Sequence, residues 1–174
     1  VLVTGAGGSI GMELCKQILA QRPSKIILFE ISEFALFQIN DDLLKSIKHI
    51  KSETSIVPVI GSVRDEKLVT KTIKKHCVNT IYHAAAYKHV PFMEENPYEA
   101  VKTNVLGSKN IADISIQNQV EKFVMISTDK AVNPISSLGM TKHIAERYLT
   151  TLNSQNKTKF IKIKLNFIFK TKFF

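Results

Sequence analysis

The sequence predicts an α/β fold: a doubly wound parallel sheet covered by helices on both faces, three αβα layers in all. Three observations predict it. Short apolar strand candidates alternate with helical patterns along the whole chain, and no internal repeat or Pro/Gly-rich linker interrupts them. The first strand candidate runs directly into a glycine-rich turn and then a helix. Five crossovers joining six strands favour parallel pairing, and such crossovers are right-handed almost without exception.

The 174 residues suit one domain with one core, and 44% hydrophobic with 22% charged residues is the balance of a soluble globular protein. No apolar run reaches the ~18 residues a membrane span needs, and no signal peptide is visible. Cys15 and Cys77 lack CxxC spacing. Cys15 falls on the apolar face of a helix candidate, so a buried free thiol in a reducing cytoplasm is expected. The net charge of +9 is uneven: Lys157, Lys159, Lys162, Lys164, Lys170 and Lys172 supply six of it, leaving +3 for residues 1–156. The basic balance belongs to the tail, so no nucleic-acid surface is read on the body. No His/Cys/Asp/Glu spacing suggests a metal site.

Strands are expected at residues 1–3, 25–29, 56–60, 80–83, 122–126 and 160–167, and helices at 9–21, 33–50, 65–76, 97–118 and 138–152. The chain opens in mid-strand without an initiator methionine, so further sequence upstream is expected. Thr4-Gly5-Ala6-Gly7-Gly8-Ser9-Ile10-Gly11 joins the first strand to the first helix. In that strand–turn–helix context the glycines form a dinucleotide fingerprint, and the fold is the NAD(P)-binding Rossmann type. Gly5 allows the tight turn, Gly8 lets the backbone approach a pyrophosphate, and Gly11 lets the helix pack on the sheet. The amides around Ser9 and Ile10 then face the phosphates with the helix dipole behind them. Glu30 ends the second strand. An acid there either bonds the adenosine ribose hydroxyls of NAD and repels the extra phosphate of NADP, or is a solvated strand end. With no arginine adjacent in sequence, NAD is favoured.

His49 and His76 fall at the ends of the second and third helices, where an imidazole meets the carboxyl-end dipole favourably. After the third strand comes Gly61-Ser62-Val63-Arg64-Asp65, and after the fourth His83-Ala84-Ala85-Ala86-Tyr87-Lys88-His89-Val90-Pro91. The three alanines leave room for a flat cofactor. Lys88 can face an anionic substrate, and His89 either touches substrate phosphate or is structural. Asn96-Pro97-Tyr98-Glu99 reads as a capping box. On the helix it opens, Val101, Val105 and Ala112 share a face, as do Asn104 and Ser108. A core-facing Asn104 must find a partner: a loop carbonyl, or a water or lysine of an active site. The fifth strand ends in Ser127-Thr128-Asp129-Lys130, which is either a helix cap or three proton-handling side chains at the strand end where ligands bind. His143 is read as a surface residue.

The spacing Gly-x-x-Gly-x-x-Gly resembles the extended branch of the short-chain dehydrogenase/reductase superfamily. With Ala84 to Pro91, Glu94, Asn96-Pro97, Glu99-Ala100, Asn104-Val105-Leu106-Gly107 and Ser127 to Pro134, residues 1–148 closely resemble the CapD-like polysaccharide-biosynthesis family of nucleotide-sugar 4,6-dehydratases. The resemblance implies NAD as cofactor, a UDP-sugar such as UDP-N-acetylglucosamine as substrate, and a homo-oligomer at full length. It implies a cytoplasmic place, or the cytoplasmic face of the inner membrane in a longer form. In that family the sugar C4 hydroxyl is oxidised to a ketone, the C5 proton becomes acidic, water is eliminated across C5 and C6, and hydride returns at C6.

By resemblance Thr128 holds the C4 oxygen, Asp129 protonates the departing C6 hydroxyl, and Lys130, partly neutral near Lys88 or Lys142, is the base at C5. Lys142 matches the lysine that binds the nicotinamide ribose. Ser62 and Val63 match the adenine-edge segment, and Ala84, Ala85, Ala86 and Asn104 line the cofactor. Leu138 stands where the superfamily has tyrosine and the retaining branch has methionine. The resemblance therefore favours the retaining branch and leaves Asp129, Lys142 or water to accept the C4 proton. Relatives continue with an Arg-Phe-Gly-Asn-Val segment and a substrate domain. Here residues 1–156 are expected to form the NAD-binding domain and 157–174 a divergent Phe/Lys-rich tail supplying the sixth strand, the substrate domain being absent. A catalytically inert NAD-binding remnant is the alternative, and an epimerase or reductase, which needs the missing phenol, ranks below it.

Overall fold

The computed structural model describes residues 1–153 and 157–165. Six strands, β1 Leu2–Thr4, β2 Lys25–Glu30, β3 Ser55–Ile60, β4 Thr80–His83, β5 Lys122–Thr128 and β6 Lys159–Leu165, form one sheet in the order β3-β2-β1-β4-β5-β6. Every pairing is parallel. The chain steps outward from β1 to β3, returns to β4 beside β1, and steps outward again to β6. Thr4 pairs with His83 where the two halves meet, and the crevice outside that switch point is where such sheets bind ligands.

Alternation along the strands builds two cores. Leu2, Ile27, Phe29, Ile81 and Phe123 point to one face, beneath α3 (Glu66–His76), α6 (Ser108–Gln117) and α7 (Ser137–Asn153). Val3, Ile26 and Leu28 point to the other, beneath α1 (Ser9–Ala20) and α2 (Glu33–Ile50). Pro58, which cannot donate to a ladder, is confined to the edge strand β3. No helix among the described residues is long and apolar enough to cross a membrane.

Three expectations are corrected. An additional short helix, α4 (Val90–Glu95), precedes α5 (Pro97–Ala100). The capping box does not form. Asn96 turns its amide back to the Phe92 carbonyl (3.0 Å), while Glu99 reaches Arg64 and Lys102 instead of the Asn96 amide. Between α5 and α6, residues Val101–Gly107 wind as a π-helix, whose wider turn rotates Val101 out to 41% exposure while Asn104 and Ser108 stay buried. The last two residues of the strand expected at 160–167 lie outside the described residues.

The edge strand β6 is anchored by Phe160, buried against Phe123 at a ring-centroid distance of 5.4 Å. Phe160→Ala is expected to lower unfolding stability in urea by about 3–5 kcal/mol. A loss below about 1 kcal/mol would mean that β6 adds little to the core.

Candidate functional site

The glycine turn closes tightly against the β4 loop. Gly5 has φ +65, and a Cβ there would stand 2.7 Å from the Ala85 Cα. A Cβ on Gly11 would overlap the Gly5 carbonyl oxygen, so the first turn of α1 presses directly on the loop. Gly8 caps α1 without a side chain, which leaves the first-turn amides facing outward with the helix dipole behind them. Gly7, not singled out from sequence, packs on Ala35 of α2.

A cleft of about 320 Å³ opens between this turn, the ends of β2 and β3, and the Ala84–Tyr87 loop. Gly5, Gly8, Ala84, Ala85, Ala86, Ser62, Val63 and Glu30 all line it. The Glu30 carboxylate is 8% exposed and accepts from the amides of Gly7 (3.0 Å), Ile31 (2.9 Å) and Ser32 (3.0 Å). It thus fixes the glycine turn as well as facing the cleft. Ser9 accepts a hydrogen bond from Lys88 Nζ (2.8 Å), bringing that ammonium to the amino end of α1 rather than out toward a substrate. His89 caps α4 by position and meets Phe92 edge-on.

Beneath the cleft lies a buried network that sequence reading missed. His83 is fully buried; its Nδ1 is 2.7 Å from Thr4 Oγ1 and its Nε2 2.9 Å from Ser108 Oγ. Ser108 donates its only proton to the Asn104 carbonyl (2.6 Å), so Nε2 carries the imidazole proton and Thr4 donates to Nδ1. Burial, and secondarily Lys142, pushes the imidazole pKa down to about 3. Thr4 thus donates to His83 while its oxygen accepts from the Ala85 amide (3.4 Å). Asn104 takes the loop-carbonyl alternative: it accepts from the Tyr87 amide (2.9 Å) and donates to the Tyr87 carbonyl (3.1 Å) and Thr141 (3.2 Å). It is fully buried and holds the Tyr87 end of the loop that lines the cleft. Of this network the sequence marks only Asn104 and Ser108, as a polar pair on one helix face, and not their link to His83 at the end of the fourth strand.

At the end of β5 the side chains of Ser127 and Thr128 part company. Ser127 is buried and donates to Glu146. Thr128 donates to Asp129 Oδ1 (2.9 Å), which also accepts from the Lys130 amide (2.9 Å). Lys130 Nζ lies 3.8 Å from the same oxygen. The Thr128 bond holds the Asp129 carboxyl below its usual range, desolvation opposes it, and the Lys130 charge adds to the lowering. The cap reading of this segment is therefore realised in a short 3₁₀ turn, Asp129–Ala131, with the three side chains still partly exposed.

One face of α7 grips this region. Lys142 Nζ donates to the Ile126 carbonyl (3.2 Å), and Glu146 holds Ser127. His143, expected at the surface, donates from Nδ1 to the Ala131 carbonyl (2.9 Å). Lys142 is the desolvated amine of the site: burial lowers its pKa to about 8, and Glu146 opposes the shift. Leu138 is 5% exposed, adding apolar bulk and no proton-carrying group. Among the described residues no group of three His, Cys, Asp or Glu side chains could hold a metal ion.

The glycine cradle after β1 and the Thr-Asp-Lys turn after β5 thus lie at one carboxyl edge of the sheet, separated by β4. The family model described as polysaccharide biosynthesis protein matches residues 1–169. The chain belongs to that family. Within the polysaccharide biosynthesis proteins, the capsular polysaccharide biosynthesis protein CapD of Staphylococcus aureus is 45% identical over 165 residues, covering 94% of this chain and 27% of the relative. A UDP-N-acetylglucosamine 4,6-dehydratase (inverting) of Campylobacter jejuni is 34% identical over 155 residues, covering 88% and 43%. Among solved structures, the UDP-Glc/GlcNAc 4-epimerase of Campylobacter jejuni superposes with a TM-score of 0.84 over 94% of this chain and 52% of that one. At 20% identity this last likeness is one of fold. The chain thus spans from a quarter to a half of the length of these proteins.

Two pH dependences follow. His83 has a folded pKa of about 3 and an unfolded one near 6.5, so between them the unfolded chain binds more protons. Its contribution is complete above about pH 6.5 and is lost as pH falls toward 3. Urea unfolding should show that loss, and His83→Gln should flatten it; an equal slope in both proteins would contradict a buried neutral imidazole. Lys142 has a folded pKa of about 8 against about 10.5 unfolded, so stability should rise with pH across that window. Lys142→Met should remove this increment and leave the remaining alkaline profile in place.

Proposed function

We propose that this chain binds NAD and forms the cofactor-holding part of a nucleotide-sugar 4,6-dehydratase of polysaccharide biosynthesis, acting on a UDP-N-acetylhexosamine. The observation that carries the proposal is that an anion-ready glycine cradle after β1 and the Thr128-Asp129-Lys130 turn after β5 leave the same carboxyl edge of the parallel sheet, with only β4 between them. The cradle fits a dinucleotide. Close approach at Gly5 and Gly11 needs glycine, the amino end of α1 is uncapped by any side chain, and the cleft is of ligand size.

In this reading Gly8, Ser9 and Ile10 hold the diphosphate, with Lys88 beside them. Glu30 faces the adenosine ribose, and Ser62 and Val63 the adenine edge. Ala84, Ala85 and Ala86 form the floor, with Lys142 near the nicotinamide ribose. When bound, NAD supplies reversible hydride transfer at the sugar. The chain's own residues move the protons. Thr128 holds the C4 oxygen, and because its hydroxyl already donates to Asp129, a C4 hydroxyl bound there lies one hydrogen bond from that carboxylate. Asp129 is ionised at neutral pH, so it takes the C4 proton that Leu138 cannot accept and returns it to the departing C6 hydroxyl. Lys130, in its unprotonated form, removes the C5 proton and gives it back to C5 when hydride returns at C6. Lys142 stays behind the strand, bonded to Ile126, and positions rather than receives.

Leu138 favours a second reading, a chain that binds NAD without turnover. The two separate in one assay: incubation with NAD and UDP-N-acetylglucosamine, following loss of water by mass spectrometry. The dehydratase reading expects product, with Asp129→Asn and Lys130→Ala each lowering turnover by at least about 100-fold. Bound NAD without product would leave the second reading, and full activity in Lys130→Ala would overturn the role given to that residue.

A further inference from the structure

Sequence alone places no arginine next to Glu30, but the fold brings one into the wall of the same cleft. β2 and β3 pair Glu30 with Ile60, and the Gly61 amide donates to the Glu30 carbonyl (2.9 Å), so the loop carrying Arg64 leaves the sheet next to the acid. Glu30 and Arg64 line the same cleft. An arginine near the ribose is the group that accommodates the 2′-phosphate of NADP, with a planar fork suited to a phosphate dianion.

Arg64 is already engaged. Its Nη1 donates to Glu99 Oε2 at 2.8 Å, and the other Glu99 oxygen accepts from Lys102 Nζ at 2.8 Å. Glu99 reaches across from α5, outside the cleft lining, and Lys102 and Arg64 together hold its carboxyl below the usual range. The side chains are 41% (Arg64), 42% (Glu99) and 48% (Lys102) exposed, a setting in which ion pairs are weak and exchange partners readily.

We propose that Glu99 is a specificity-determining residue: by occupying Arg64 it withholds from the adenosine end of the cleft a cation that would welcome a 2′-phosphate, and so reinforces the selection for NAD made by Glu30. The proposal rests on the NAD reading above. It also explains how an arginine can stand in the wall of this cleft without opening it to NADP.

The test is calorimetric titration of the whole chain, of Glu99→Gln, and of the double variant Arg64→Gln/Glu99→Gln with NAD and with NADP. Removing the Glu99 charge is expected to raise affinity for NADP relative to NAD by about three- to tenfold, an increase that shrinks with added salt. The double variant should return to the starting ratio. An unchanged ratio in Glu99→Gln, or an increase that persists without Arg64, would overturn the proposal while leaving NAD binding intact. Binding of neither nucleotide by any of the three proteins would overturn the NAD reading and this proposal with it.

Discussion

A histidine with no access to solvent has to stay neutral and find a partner for each ring nitrogen, and His83 does both across the switch point of the sheet. Its bonds tie Thr4 at the end of β1 to Ser108 at the start of α6, so the glycine turn, the Ala84–Tyr87 loop and the helical wall share one anchor. Because Ser108 donates onward to the Asn104 carbonyl, the direction of every proton in the chain is set. Such a network is costly to break at any one point, since a lost partner leaves a buried polar atom unpaired. Asn104 and Ser108, four residues apart, face inward together, while Val101 at the start of the π-helical winding is turned outward.

The same economy of contacts governs the end of β5. Three residues of α7, within two turns, take hold of β5 and the turn after it: Lys142 at Ile126, His143 at Ala131 and Glu146 at Ser127. The Thr128–Asp129–Lys130 side chains are thus carried on backbone clamped from behind, with their polar ends facing outward. Charge is arranged along the crevice in keeping with this. A buried amine lies behind the turn, an ionised Asp129 within it, and Glu30 stands at the far end, already holding the backbone of the glycine loop.

Features that depend on local pattern were legible in the sequence. Alternating strands and helices revealed the doubly wound sheet, and the spacing of Gly5, Gly8 and Gly11 marked the phosphate turn. The apolar run before Ser127 placed the Thr-Asp-Lys segment at a strand end. Features that depend on which strand lies beside which were not legible. The partners of His83 come from residues 79 positions upstream and 25 downstream, and no periodicity links them. The Arg64–Glu99 pair spans 35 residues, which is why the acid looked like half of a capping box. A helix assumed to keep 3.6 residues per turn put Val101 on the wrong face, and π winding leaves no simple mark in composition.

A dinucleotide seated in the crevice at the carboxyl ends of these strands would be seen in a backbone amide NMR titration of the isotope-labelled chain with NAD. Saturable shift changes are expected at Gly5–Gly11, Glu30–Ser32, Gly61–Arg64 and Ala84–Tyr87, with little change along the outer turns of α2 and α3. Shifts scattered over the surface, or centred away from the glycine turn, would contradict that seating.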